Sequence, residues 1–299
     1  MANLLIGGQL SEPFFELNAQ LRASTRELAN KVIPGGARFY SPWLCTYPRF
    51  GTPPNLALLE EPPCERGGLI IDEQYLAHAR AWVNDIVLFH QSAITVDSGE
   101  VALPGEPHTW LPLETVSERI MDLFREGKKL LLASDPHMCR QYLEMIDFVV
   151  PIFSPGKKNR GFSHHLARGI IFRSFPEEAT IWDVGIDLAH ELGHQTLFVW
   201  QSADAILTSP KDAPVYSFIR KANRPAIQTF HAAVALAYML SFTRCYADEA
   251  DCREVAARRG DWYVDTLDKS LRLSLESLRA NCTFTELGDA LMQEMEALV

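Results

Sequence analysis

The amino-acid sequence predicts an α+β protein that is mostly helical, with a small sheet next to a helix that carries a His-Glu-x-x-His motif. Apolar residues recur at helical spacing over long segments near both ends of the chain, which is typical of amphipathic helices. Residues 148–153 and 169–175 form short apolar runs that are typical of buried strands. The motif, from His190 to His194, lies within a broad apolar stripe, which predicts a helix buried on most sides.

The first half of the chain is predicted to be helical apart from one irregular segment. Residues 11–32 begin with a serine and an early proline and continue with apolar residues at helical spacing, so a helix is expected there. Residues 37–68 contain many prolines and aromatic residues, which favours an irregular but ordered segment. Further elements are predicted as helices near 72–91 and 112–126 and a strand near 129–134.

In the second half, Pro176 to Thr180 is predicted to be the turn between the strand at 169–175 and the motif helix. Pro225 suits the first turn of another, almost wholly apolar helix. The tail is predicted to form helices over 261–280 and 284–298. We therefore expect a helical amino-terminal region with a proline- and aromatic-rich loop over 1–145, and a metal-binding catalytic region with a helical tail over 146–299, or one integrated domain combining both.

Composition bounds the class of protein. At 299 residues with 47% hydrophobic content, the chain can bury a sizeable core. Its net charge of −10 argues against general binding to nucleic acid or to anionic membranes. The six cysteines are dispersed without a CxxC pair, which suggests reduced thiols. No apolar run reaches the length that a membrane-spanning helix needs, so we expect a soluble cytoplasmic protein.

Two histidines in the motif point to a metal site. His190 and His194 are four residues apart, so on a helix they project from one face and can share a metal ion. The alternative is that both rings are packed in the core, which requires a separate hydrogen-bond partner for each. The metzincin continuation is excluded, because Leu197 and Trp200 occupy the positions of its glycine and third histidine.

A third ligand must come from elsewhere in the chain. Asp248 and Glu249 are poor candidates, because they lie in a polar segment that resembles a solvated helix end. His231 is a better candidate, within the apolar helix after Pro225. A lone histidine in such a helix is more often a core residue than a ligand, but the motif's need for a third ligand favours the metal role.

These elements together resemble a known family. The sequence contains the motif, then Tyr216 to Arg220, then Asn223-Arg224-Pro225, then His231. This order resembles the HExxH-containing proteins encoded with modified-peptide pathways, which are described as 2-oxoglutarate-dependent peptide β-hydroxylases. The resemblance covers roughly residues 145 to 245.

The resemblance implies that His190, His194 and His231 hold Fe(II), that 2-oxoglutarate is the co-substrate, and that a side-chain β-carbon of a ribosomally made peptide is hydroxylated. The chain departs from the family where a Tyr-Ser-Pro-Trp-Arg pattern is often found, because Phe218 and Ile219 occupy the two central positions. The partner implied is a peptide substrate, with or without a leader peptide or a partner protein.

The chemistry of an Fe(II) oxygenase gives the arginines a role. Such an enzyme needs three protein ligands and open positions for an oxo-acid and dioxygen. Arg224 precedes the helix that carries His231, and is placed to bind the distal carboxylate of the oxo-acid in a bidentate manner. Arg220 is the second candidate for binding this carboxylate. The alternative for either residue is a surface arginine paired with an acidic side chain.

Glu191 distinguishes two enzyme classes. In a zinc-dependent peptidase it is the general base that takes a proton from water bound to Zn(II). In an oxygenase it orients substrate or water, or, less readily, ligates the metal. Asp187, one turn before His190, is a candidate acceptor for the outer N–H of a ligand histidine, or else an acid favoured by the helix dipole.

His164 and His165 are candidate substrate contacts. They follow a turn-rich loop before the strand that leads to the motif helix, and the two predicted strands resemble the sheet that borders the active helix of zincins. A peptide can add to such an edge by main-chain hydrogen bonds. The alternative is that the loop does not contact substrate and that the basic residues at 157–160 form a solvated hairpin tip. A third possibility for the whole chain is a binding module without catalytic activity.

Overall fold

The computed structural model describes residues 11–33, 40–42, 44, 62–72, 74–76, 109–110, 116–153, 161–165, 167–246 and 264–299. The chain divides into two compact units. The first unit comprises Met1–Asn18, Leu123–Met145 and Thr180–Val299, and the second unit comprises Ala19–Asp122 and Ile146–Ala179. The domain boundary predicted between residues 145 and 146 stays a prediction, and each unit takes segments from both sides of it.

The described residues are mostly helical, with a small mixed sheet, so the predicted α+β class is confirmed at that level. The helices are α1 Ser11–Val32, α2 Glu118–Ser134, α3 Pro136–Met145, α4 Ile181–Trp200, α5 Ala226–Cys245, α6 Val264–Asn281 and α7 Glu286–Glu296. The strands are β1 Gly68–Leu69, β2 Thr109–Trp110, β3 Phe148–Phe153, β4 Gly161–Ser163, β5 Ile170–Ser174, β6 Pro214–Ser217 and β7 Ala222–Pro225.

The sheet of the second unit has the strand order β1-β3-β5-β4, and β2 pairs with β3. Strands β3 and β5 are parallel, with Phe148 opposite Ile170 and Ile152 opposite Ser174. Every residue of β5 is buried, as expected for a central strand that is covered on both faces. The two strands predicted from their apolar runs are therefore confirmed.

Helix α2 corrects two expectations. The predicted helix over 112–126 begins only at Glu118, and the strand predicted over 129–134 is wrong, because these residues form the last turns of α2. The reason lies at Gly127, where a Cβ atom would lie only 2.4 Å from the Cβ of Val184 in α4. Leu131 is fully buried in this part of α2, while Leu130 and Leu132 are half-buried, so an apolar run of strand length is helical here.

Helix α4 begins where the sequence predicts it. Thr180 is its N-cap: the backbone N–H of Asp183 donates to the Thr180 hydroxyl, and the backbone N–H of Thr180 donates to the Asp183 carboxylate at 2.7 Å. This capping box satisfies two backbone donors that a helix start leaves unpaired. Nearly all residues of α4 are buried, which confirms the broad apolar stripe.

Helix α5 is the other central helix of the first unit. It follows Pro225 as predicted and is apolar almost all round. Contrary to expectation, Ala226–Cys245 is long and apolar enough to span a membrane, but 72% of its apolar window is buried inside the protein. Such burial is what the core helix of a soluble protein shows.

Glycines allow α4 and α5 to pack closely. A Cβ atom on Gly193 would lie 3.1 Å from both the Cα of Ala235 and the ring of Tyr238, and one on Gly185 would lie 2.6 Å from the ring of Phe242. The Tyr238 hydroxyl lies 3.0 Å from the Thr196 hydroxyl of α4 and 2.8 Å from the side-chain carbonyl of Gln141 in α3. A satisfied buried polar network therefore links three helices next to the motif.

The carboxy-terminal helices agree with the sequence. Helix α6 buries the predicted leucine stripe, which consists of Leu267, Leu271, Leu275 and Leu278. Most of the irregular segment predicted over 37–68 and of the helix predicted over 72–91 lies outside the described residues, as do Asp248 and Glu249.

We expect Gly193→Val to lower the free energy of unfolding by about 1–3 kcal/mol, the usual cost of overfilling a packed core. The added side chain meets the backbone of Ala235 and the ring of Tyr238, which cannot both move aside. Chemical denaturation of the variant beside Gly193→Ala measures the effect, and alanine should cost less. A valine variant as stable as the parent protein would contradict the close approach of α4 and α5.

Glu294 predicts a pH dependence of stability. Burial raises the pKa of its carboxyl from 4.5 to about 7, and among the described residues its Oε2 has no hydrogen-bond partner. The folded protein therefore holds a proton that the unfolded chain releases between about pH 4.5 and pH 7, so this residue's contribution to stability falls as the pH rises through that window. We expect Glu294→Gln to be more stable than the parent protein at pH 8, with the gap closing towards pH 4. Urea titrations at both pH values test this, and a pH-independent gap would contradict it.

Candidate functional site

The first unit brings three predicted ligand residues together. His190 and His194 project from α4, and His231 projects from α5. Nε2 of His190 lies 3.1 Å from Nε2 of His194, and Nδ1 of His194 lies 3.3 Å from Nδ1 of His231. The close packing at Gly193, next to His194, allows rings from the two helices to meet. A histidine 37 residues further along the chain is thus a direct neighbour of the motif.

The spacing of the motif pair suits a shared metal ion. For a metal–nitrogen distance of about 2.1 Å, two nitrogens on one ion lie about 3.0 to 3.4 Å apart, for bond angles between about 90° and 110°. The Nε2 atoms of His190 and His194, 3.1 Å apart, fall within this range. The same distance also fits a hydrogen bond in which one ring donates to the other.

His231 does not complete a three-histidine site in this arrangement. His194 presents Nε2 to His190 but the opposite ring nitrogen, Nδ1, to His231. The three rings therefore do not direct one nitrogen each at a common point. In the part of the chain that the structure describes, no group of three His, Cys, Asp or Glu residues is arranged to hold a metal ion. A role for His231 as third ligand stays a prediction, and it requires the ring to leave its contact with Nδ1 of His194.

His190 and His231 also contact two residues outside the histidine cluster, and the sequence analysis predicted neither of them. Nδ1 of His190 lies 3.1 Å from the sulfur of Met239, and Nε2 of His231 lies 3.0 Å from Oε1 of Gln201. Gln201 is seven residues after His194, so helical spacing places it on the same face, and this signal was present in the sequence. Met239 is an apolar residue in an apolar helix, and nothing in the sequence distinguishes it.

Burial and positive charge keep the motif histidines neutral. Burial, followed by the positive charge of Arg220, lowers the pKa of His190 to about 4. Burial, followed by the neighbouring histidines and Arg224, lowers the pKa of His194 well below its usual value. A neutral imidazole has one nitrogen with a free lone pair, which is the form that binds metal. The side chain of His190 is nevertheless 34% exposed, so a small molecule has access to this ring.

A β-hairpin supplies positive charge near the histidines. Strands β6 and β7 pair antiparallel, with Arg224 on β7 and Arg220 in the turn. Within the described residues, neither guanidinium forms an ion pair with a carboxylate. Burial, followed by the charge of Arg220, lowers the pKa of Arg224. Two neighbouring cations without a carboxylate form an environment that favours a bound anion.

Two carboxylates of α4 are buried. Glu191 is 4% exposed, and its Oε1 lies 3.9 Å from Nε2 of His190. Asp187 is 6% exposed, one turn before His190. His190 and His194 make their outer contacts with Met239 and His231 rather than with Asp187. The predicted catalytic or orienting role of Glu191 and the outer-contact role of Asp187 stay predictions.

His164 and His165 belong to the second unit. They follow β4, and their rings stack on each other with centroids 4.6 Å apart. Their predicted contact with substrate stays a prediction, and the basic residues at 157–160 lie outside the described residues. A comparison with known proteins finds no matching family model and no matching curated protein.

We expect the purified protein, prepared without metal, to bind one divalent ion per chain. His190→Ala and His194→Ala should each weaken this binding by more than about 100-fold, because each removes a ligand rather than a supporting group. His137→Ala, which removes a histidine of α3, is the control and should bind as the parent protein does. Isothermal titration with Zn(II) under anaerobic conditions measures the affinity, and equal binding by all four proteins would contradict a metal site at the motif.

Proposed function

We propose that this protein is a member of the HExxH-containing, 2-oxoglutarate-dependent peptide β-hydroxylases, an Fe(II) oxygenase that hydroxylates a side-chain β-carbon in a ribosomally made peptide. One observation carries the proposal: a neutral histidine pair with metal-ligand spacing lies near two arginines that have no carboxylate partner among the described residues. This combination suits a metal together with an anionic co-substrate that binds next to it.

The metal would be held by His190 and His194. The resemblance implies His231 as a third ligand, and that role requires its ring to leave the contact with Nδ1 of His194. Bound Fe(II) supplies the redox chemistry that lets dioxygen oxidise a 2-oxo acid and a C–H bond in one reaction. The reaction balances as peptide C–H plus 2-oxoglutarate plus O₂ giving peptide C–OH, succinate and CO₂. The buried environment keeps both rings unprotonated at neutral pH, so neither must release a proton to bind a metal.

The arginines provide the carboxylate site. Arg224 is half-buried, and a guanidinium that is partly removed from water binds a carboxylate more strongly than an exposed one does. Arg220 is exposed in the hairpin turn and adds to the positive potential at His190. We therefore propose Arg224 as the main contact of the distal carboxylate of 2-oxoglutarate, and Arg220 as its electrostatic support.

The second unit offers a surface for a peptide. Strand β4 is at the end of the strand order, and its described pairing is with β5. A strand at the edge of a sheet can accept an extended peptide as a further strand. Binding of the substrate along β4, with His164 and His165 as contacts, is part of the proposal.

A zinc-dependent peptidase is the second candidate, and Glu191 is the observation that favours it. Its carboxylate lies 3.9 Å from Nε2 of His190, which suits a general base for a water on Zn(II). The two arginines have no required role in that mechanism. In the oxygenase, Glu191 orients the substrate or an ordered water instead.

Arg224→Gln should raise the KM for 2-oxoglutarate by about 10- to 100-fold, because one or two charge-assisted hydrogen bonds are lost. Arg220→Gln should raise it less. Arg272→Gln removes an exposed arginine of α6 that pairs with Asp268, and it should leave the KM unchanged. Succinate formation in the presence of Fe(II) and air measures the KM, and an equal KM in all variants would contradict the arginine site.

Glu191→Gln separates the two candidate enzymes. We expect this variant to retain metal binding and at least part of its succinate formation, because no step of the oxygenase needs Glu191 as a general base. In a peptidase the same change abolishes hydrolysis while zinc stays bound. Mass spectrometry of candidate peptides detects either a gain of one oxygen atom or cleavage. Cleavage that depends on Zn(II) and on Glu191, without succinate formation, would replace the oxygenase by the peptidase.

A further inference from the structure

Four side chains in the first unit form a continuous series of polar contacts. His190 contacts His194 at 3.1 Å, His194 contacts His231 at 3.3 Å, and His231 contacts Gln201 at 3.0 Å. His194 contacts His190 through Nε2 and His231 through Nδ1, and His231 contacts His194 through Nδ1 and Gln201 through Nε2. His194 and His231 are therefore engaged through both of their nitrogens, so the position of one proton determines the positions of the others.

The proton positions can be followed from Gln201. Its side-chain oxygen is an acceptor only, so Nε2 of His231 must carry the proton of that contact. A neutral His231 then has a lone pair on Nδ1, which accepts from Nδ1–H of His194. His194 is left with a lone pair on Nε2, the nitrogen that faces His190.

The other end of the series leads to the same result. Nδ1 of His190 lies 3.1 Å from the sulfur of Met239, and a thioether sulfur accepts hydrogen bonds but cannot donate. Nδ1 of His190 therefore carries the proton, and its Nε2 has the lone pair. Two lone pairs, from His190 and His194, then face each other at 3.1 Å, an arrangement that repels unless a cation lies between them.

We infer that His231 and Gln201 are positioning residues, which hold His194 in the tautomer and orientation that present Nε2 to a metal ion. In this arrangement His231 is not the third ligand. A third protein ligand, which an Fe(II) oxygenase needs, must then be a residue other than His231, and the open positions are left to the oxo-acid and dioxygen. The inference rests on the proposed metal site, and it differs from the family resemblance in the role of His231.

The opposite proton order has a distinct consequence. If the amide of Gln201 is turned so that its nitrogen donates to Nε2 of His231, every proton in the series moves. Nδ1–H of His231 then donates to His194, and Nε2–H of His194 points at His190. That order fills the space between the motif histidines with a proton and leaves His194 unable to bind metal through Nε2.

Nitrogen-15 NMR of the histidine rings distinguishes these arrangements. In the protein with Zn(II) bound we expect Nδ1–H on His190 and His194 and Nε2–H on His231. On addition of Zn(II), used as a diamagnetic substitute, the Nε2 resonances of His190 and His194 should show metal coordination, while Nδ1 of His231 should stay hydrogen-bonded. Coordination of zinc by either nitrogen of His231, or Nδ1–H on His231 in the zinc-bound protein, would overturn the inference.

Variants of Gln201 provide the second test. Gln201→Leu removes the acceptor, and we expect a 10- to 100-fold loss of Zn(II) affinity, the usual effect of losing a group that orients a ligand. Gln201→Glu keeps an acceptor at the same place and should restore affinity to within a few-fold of the parent protein. Gln293→Leu, the same change at an exposed position of α7, is the control.

Equal losses in Gln201→Leu and Gln201→Glu, or no loss in either, would overturn the role of Gln201. If a Gln201 variant does not fold, the NMR experiment on the parent protein still decides. A protein in which zinc binds neither His190 nor His194 would instead remove the proposed metal site. Zinc bound by both, without succinate formation under any condition, would remove the oxygenase and leave the positioning role standing.

Discussion

The arrangement of the candidate site depends on the close packing of α4 against α5. Gly193 lies between His190 and His194 in α4 and faces the backbone of Ala235, so no side chain separates the helices there. Because the protein interior is close-packed, a small change in the distance between α4 and α5 moves every side-chain ring that lies between these helices. The contact between His194 and His231, at 3.3 Å, exists only because the two helices approach each other this closely.

The same core sets the chemistry of the histidines. Surrounded by apolar residues and near two arginines, the rings are poor proton acceptors, and their pKa values are lowered. A neutral ring is a better metal ligand than a protonated one, so burial and positive charge act in the same direction. The positive charge also favours a bound anion near the histidines. One set of physical conditions thus suits both a metal and an acidic co-substrate.

Several features were predictable from the sequence because they depend on local patterns. The beginning of α4 follows from a capping box between Thr180 and Asp183, and the pairing of His190 with His194 follows from a spacing of four residues on a helix. The resemblance and the need for a third ligand predicted a metal-ligand role for His231. Its ring lies next to His194, and the ligand role stays a prediction. The strand expected over 129–134 failed because an apolar run of that length has no intrinsic period that separates strand from buried helix.

The residues available for chemistry can be read from the sequence: two histidines on one helix face, a third in an apolar helix, and two arginines just before that helix. Which ring nitrogens meet follows from the packing of α4 against α5, because it depends on the distance and rotation between two helices that are not adjacent in sequence. Gln201 and Met239 became part of the site for the same reason. A helix surface presents many side chains at regular spacing, and packing against a second helix selects those that contact one another.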